Sequence, residues 1–124
     1  MPLVCIDHPP SVDGQAIGEG VHLAMVETFG VPPDDHFQII AARTPGRELV
    51  RPPSYLGLTY SDAFTVIQIT CNDTRTVEQK KALYAAIAGR LSHVPGVRAT
   101  DLLINLVEVK KENWSFGDGI AQYA

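Results

Sequence analysis

The residue with the most chemistry to offer stands second. Methionine ahead of a side chain as small as that of Pro2 is normally cleaved, and the chain would then open on a secondary amine. An α-amino group ordinarily titrates at about 7.7–8.0. Burial disfavours its cation and lowers that value, whereas a neighbouring carboxylate raises it. One nitrogen can therefore be set as general base or general acid near neutral pH. Many proteins begin Met-Pro, so the surroundings must decide. The other reactive types offer less. Cys5 and Cys71 sit in apolar runs, lack metal-ligand spacing, and read as buried free thiols. His8, His22, His36 and His93 have spacings that suit no metal motif. Gly117 and Gly119 are followed by no Lys-Ser/Thr pair, so they make no phosphate loop. Arg43, Arg47 and Arg51, four residues apart across a turn, read as a solvated edge. Tyr55, Tyr60 and Tyr123 could each give a hydrogen bond to an oxyanion, and nothing in the sequence chooses among them.

The elements that must position these residues follow from periodicity. Residues 2–7 read as a strand, stopped by Pro9 and Pro10. Asp13 can cap a helix whose apolar face is Ile17, Val21, Ala24, Met25, Thr28 and Phe29, with Gly30 just past its end. Gly14, Gly18 and Gly20 weaken that helix by propensity, so tertiary packing must hold it. Residues 37–42 read as a second strand, 44–46 as a turn and 48–51 as a short third strand. Residues 52–62 then form an ordered loop. The run AFTVIQITC at 63–71 is the strongest strand signal. A second helix is predicted over 77–92 with Thr76 as its cap, and a last strand over 102–109. The order is β-α-β, an excursion, then β-α-β. Two right-handed crossover units predict an α+β fold: one four-stranded sheet with both helices on one face. The other face would be bare and apolar, and such a face is expected to meet a partner subunit.

Bulk properties set bounds. At 124 residues the chain is expected to form one domain, residues 1–124, able to bury a core without disulfides or metals. A net charge of −4, with no basic stretch longer than Lys110–Lys111, argues against nucleic acid as a partner. No apolar run approaches the length that spans a bilayer, and no signal peptide is visible. The expectation is a cytoplasmic protein with no membrane partner.

Five stretches together resemble the tautomerase superfamily: MPL at 1–3, VPPDDHFQII at 31–40, TPG at 44–46, TRTVEQKKALY at 74–84 and NWSFGDGIAQ at 113–122. More narrowly, the chain looks like the malonate semialdehyde decarboxylase branch and its tautomerase-like relatives, over essentially its whole length. The resemblance implies a homotrimer with active sites at subunit boundaries, each built around the amino-terminal proline. It also implies no metal and no organic cofactor. Pro2 matches the catalytic proline, Asp35 the family's catalytic aspartate, and Arg75 one of two arginines that hold and polarise substrate in the decarboxylase. The partner arginine's position is Asp73 here. That departure removes one positive charge and adds a negative one. Trp114 and Phe116 match aromatic positions lining the pocket.

The chemistry of these types is consistent with such roles. An arginine fork fits a carboxylate bidentately and can stabilise an enolate as it forms. A carboxylate at Asp35 can bond a water or enol, or hold Pro2 protonated. An aromatic wall of Trp114 and Phe116 would exclude water and strengthen charge interactions. The first expectation is keto–enol tautomerisation of a 2-oxo acid, a small carboxylate substrate, with Pro2 as base. The second is decarboxylation or hydration of malonate semialdehyde or a similar 3-oxo acid, with Pro2 as cation. The third is a non-catalytic trimeric binding module.

Overall fold

The structure is a computed structural model describing residues 1–124. Its elements run β1 (Leu3–His8), α1 (Gly14–Phe29), β2 (Phe37–Ala42), β3 (Ser54–Tyr55), β4 (Leu58–Thr59), β5 (Thr65–Asn72), α2 (Val77–Leu91) and β6 (Leu102–Val109). The main sheet has the order β2-β1-β5-β6. β1 and β2 are parallel, β5 and β6 are parallel, and β1 meets β5 antiparallel at the centre. This is the duplicated β-α-β layout expected from the pattern. It has a consequence for the site: β1 and β2 begin, and β5 and β6 end, at the same end of the sheet. There Leu3 pairs with Phe37 on one side and Thr70 on the other, and Asn72 pairs with Val109.

Alternation along the strands splits the sheet into two faces. Val4, Ile6, Ile67 and Ile69 point under the helices, where they meet Ile17, Val21, Ala24 and Met25 of α1 and Leu83, Ile87 and Leu91 of α2. The opposite face carries Phe37, Ile39, Leu103 and Val107, all exposed, with Leu3 and Cys5 half-buried between them. Both helices thus lie on one face, and an apolar face is left open.

Local chemistry explains the helix ends. Asp13 accepts from the backbone amides of Gln15 (3.0 Å) and Ala16 (3.2 Å), and Gly30 closes α1 in the left-handed region at φ 66°. Thr76 and Gln79 form a reciprocal capping box on α2. The α1 glycines are sites of close approach. A Cβ at Gly14 would meet the His8 ring at 2.2 Å and Ile40 at 2.8 Å; one at Gly20 would meet Leu91 at 2.6 Å.

The structure shifts several expected boundaries. The first strand begins at Leu3 rather than Pro2 and runs through His8; the fifth starts at Thr65 and extends to Asn72. The strand expected at 48–51 does not form. The amides of Arg47, Glu48 and Leu49 all turn back to the Thr44 carbonyl, at 3.2, 2.9 and 3.3 Å. The excursion instead holds the β3–β4 hairpin, which turns on Leu56 (φ 51°) and Gly57 (φ 79°). Two positive φ values mark a type I′ turn, hidden in the sequence because leucine takes the place usually held by asparagine. Buried Asp101 ties the excursion down, accepting from the Ser61 amide (2.7 Å) and hydroxyl (2.6 Å).

The glycines give opposite expectations. Gly14→Ala forces a methyl into the pinned His8 ring and Ile40, and should destabilise the fold by about 1–3 kcal/mol. Gly89→Ala, at an open helical position with nothing within 4 Å, should stabilise it by about 0.5–1 kcal/mol. Denaturant unfolding of both variants checks the signs.

Candidate active site

Pro2 is buried at the shared end of the sheet, just before β1. It lines a cavity of about 240 Å³ with Leu3, Phe37, Trp114, Ser115 and Phe116. The walls are mostly aromatic. Trp114 and Phe116 stack with ring centres 5.5 Å apart, and Phe116 also lies 6.1 Å from the Phe37 ring and 5.4 Å from that of Tyr123. Of the three tyrosines singled out, only Tyr123 joins this cluster; Tyr60 packs on Phe64 and Tyr55 sits in the exposed hairpin.

The tail is held over Pro2 by specific bonds. The Trp114 indole N–H donates to Asn72 Oδ1 at 2.8 Å, tying the tail to the end of β5. The Gln122 side chain accepts from the Phe116 amide (3.0 Å) and donates to the Gly117 carbonyl (3.1 Å), closing the loop on itself.

Asp35 arrives from the loop before β2. Its carboxylate is buried, and Oδ2 lies 3.8 Å from the terminal amine at Met1. Oδ1 is buried with no partner, an unusual condition for a carboxylate oxygen. A second, shallower cavity lies alongside, lined by Met1, Pro32, Asp34, Asp35 and Phe37. Phe37 divides the apolar cavity from the acidic one.

Arg75 reaches the same end of the sheet from the turn between β5 and α2. It lines neither of those two cavities. Its guanidinium donates to the Phe29 carbonyl (3.1 Å) and Thr74 Oγ1 (3.3 Å), and lies 4.8 Å from the centre of the Phe29 ring. The remaining N–H groups are uncommitted. Burial pushes the Cys71 thiol up, and the charge of Arg75 is the largest of the influences that pull it back down. Asp73, in place of a second arginine, pairs with Lys110 at 3.6 Å.

The structure therefore brings Pro2, Trp114 and Phe116 into one cavity, with Asp35 beside it. Arg75 is not brought into either cavity; its guanidinium is anchored on Phe29 at the end of α1. Arg43 is elsewhere, paired with Asp7 (2.8 Å) at the far end of β1. Phe37, Ser115 and Asn72 were not singled out from the sequence. Phe37 read only as the start of an apolar strand, although strand alternation places it on the open face beside Leu3. Asn72 gave no signal, since nothing local marks it as the anchor of Trp114.

A family profile described as "Tautomerase enzyme" matches residues 35–117. The chain belongs to the tautomerase family. It is similar to Probable tautomerase YusQ of Bacillus subtilis (strain 168), 41% identical over 108 residues, covering 87% of this chain and 84% of that one. Among solved structures it is similar to the FG41 malonate semialdehyde decarboxylase inhibited by 3-bromopropiolate. That likeness has 34% identity, a TM-score of 0.87, and covers 98% of this chain and 93% of the other. A second malonate semialdehyde decarboxylase, solved in wild-type, mutant and inactivated forms, is 29% identical with a TM-score of 0.85, covering 98% of this chain and 95% of that one. The tautomerase fold and its enzymatic character are thus established for this chain. No helix of this tautomerase is long and apolar enough to cross a membrane.

Proposed function

We propose that this tautomerase interconverts the keto and enol forms of a small 2-oxo acid through the nitrogen of Pro2, after removal of Met1. The observation that carries the proposal is the burial of Pro2 in an aromatic-walled cavity with the Asp35 carboxylate beside the terminal amine. A neutral secondary amine there accepts the enol hydroxyl proton and returns a proton to the neighbouring carbon, or runs the reverse. The proton count is unchanged over the cycle. Asp35, with its unpartnered oxygen, accepts a hydrogen bond from the enol or from a water that relays the proton. The uncommitted edge of Arg75 holds the substrate carboxylate and offsets charge on the developing enolate. Trp114, Phe116 and Phe37 keep the site dry, which strengthens both interactions.

A single cation suits this reaction, because the substrate presents one carboxylate and the enolate is short-lived. Asp73 would repel a second anionic group where the decarboxylase branch has an arginine. The likeness to two malonate semialdehyde decarboxylases supports a second reading. In it, a protonated Pro2 and Arg75 assist loss of carbon dioxide from a 3-oxo acid, or its hydration. Product analysis with an arylpyruvate enol and with malonate semialdehyde separates the two.

The open apolar face supports assembly as a homotrimer, which would bury Phe37, Ile39, Leu103 and Val107. Sedimentation should find a trimer at micromolar concentration, with Cys5 on that face protected from thiol reagents; a stable monomer with a reactive Cys5 would contradict it. Pro2→Ala and Arg75→Ala should each lower kcat/KM at least about tenfold, or roughly 1.4 kcal/mol of transition-state stabilisation. Wild-type steady-state rates in both would refute the assignment.

A further inference from the structure

The loop that delivers Asp35 is short of bonds of its own. Pro32 and Pro33 have no amide hydrogen, and the one backbone bond inside the turn runs from the Asp35 amide to the Pro32 carbonyl (3.0 Å). Something outside the loop must fix it. That contact comes from His22, on the buried side of α1 and only 4% exposed. Its Nε2 lies 2.8 Å from the Pro33 carbonyl. A carbonyl only accepts, so Nε2 carries the proton and donates. The imidazole also stacks flat on the ring of His36, with centres 4.0 Å apart and planes parallel. One side chain therefore grips the loop two residues before Asp35 and one residue after it. His22 Nδ1 is buried and has no partner, so the ring does not serve as a link in a longer polar chain.

We infer that His22 is a positioning residue for the reaction: it holds the Asp35 carboxylate against the amine through its bond to Pro33 and its stack on His36. The inference rests on the reading that Asp35 acts at Pro2. Displacing a catalytic group by about an ångström can cost orders of magnitude in rate, so a loop pinned by one hydrogen bond and one stack is a point of control.

The test uses His22→Leu, which loses both contacts, and His22→Gln, whose amide can donate from about the place of Nε2. Hydrogen exchange of the amides at 34–36 reports loop fixation without reference to activity. In His22→Leu, exchange should rise about tenfold or more, and kcat should fall at least about fivefold with KM within about twofold. His22→Gln should recover most of both. Unchanged exchange in His22→Leu would overturn the inference, as would faster exchange with an unchanged kcat, or a glutamine variant as impaired as leucine. If the leucine variant does not fold, His22→Phe takes its place, because it keeps the stacking ring and drops the donor. It should then exchange faster than His22→Gln and turn over more slowly, and equal behaviour would refute the role of the hydrogen bond. Failure of the underlying reading would show separately, as wild-type turnover in Asp35→Asn.

Discussion

The shared end of the sheet, where Pro2 is buried against aromatic rings and the Asp35 carboxylate lies 3.8 Å from the terminal amine at Met1, is the constraint to which the rest of this chain answers. The aromatic wall and the carboxylate are the two neighbours of that terminus. Neither can be adjusted without the backbone that holds it. The antiparallel junction between two parallel strand pairs supplies that backbone, because it gathers the starts of β1 and β2 and the ends of β5 and β6 at one edge. Pro2 precedes β1, Asp35 precedes β2, Arg75 follows β5, and Trp114 follows β6. One topological fact gathers four groups spread in sequence from Pro2 to Trp114 at one end of the sheet.

The supports around the site are local and specific. Asn72 fixes the indole of Trp114, Gln122 closes the tail, and Phe29 receives both a hydrogen bond and a cation from Arg75. Each joins an element end to a neighbouring element, so the cavity is as rigid as the packing of α1 and α2 on the sheet. The glycines of α1 contribute here. They let the helix approach β2 and α2 closely enough to carry Phe29 and His22 to the positions they hold.

Much of this was legible in the residues. Both helix caps, the strand at 37–42 and the strand at 102–109 follow from pattern, whereas Pro2 offers reactive chemistry that gains weight only through the family resemblance. The weak helix propensity of Gly14, Gly18 and Gly20 already implied close packing. Other features were not legible, for physical reasons. The Leu56-Gly57 turn carries no asparagine, and its leucine holds a positive φ that no local rule favours. The Asp101–Ser61 anchor joins residues forty apart, and the Trp114–Asn72 bond forty-two. Asp35 and Arg75 were marked by resemblance rather than by spacing, because only the folded sheet brings the loop before β2 and the turn after β5 to the same end as Pro2.

The most direct test is to follow the Pro2 nitrogen itself, by ¹⁵N resonance across a pH titration of proline-labelled enzyme, beside the pH dependence of kcat/KM. A free secondary amine should titrate with a midpoint matching the rise in tautomerase activity. A nitrogen that never titrates, because Met1 still acylates it in an active enzyme, would contradict the mechanism outright.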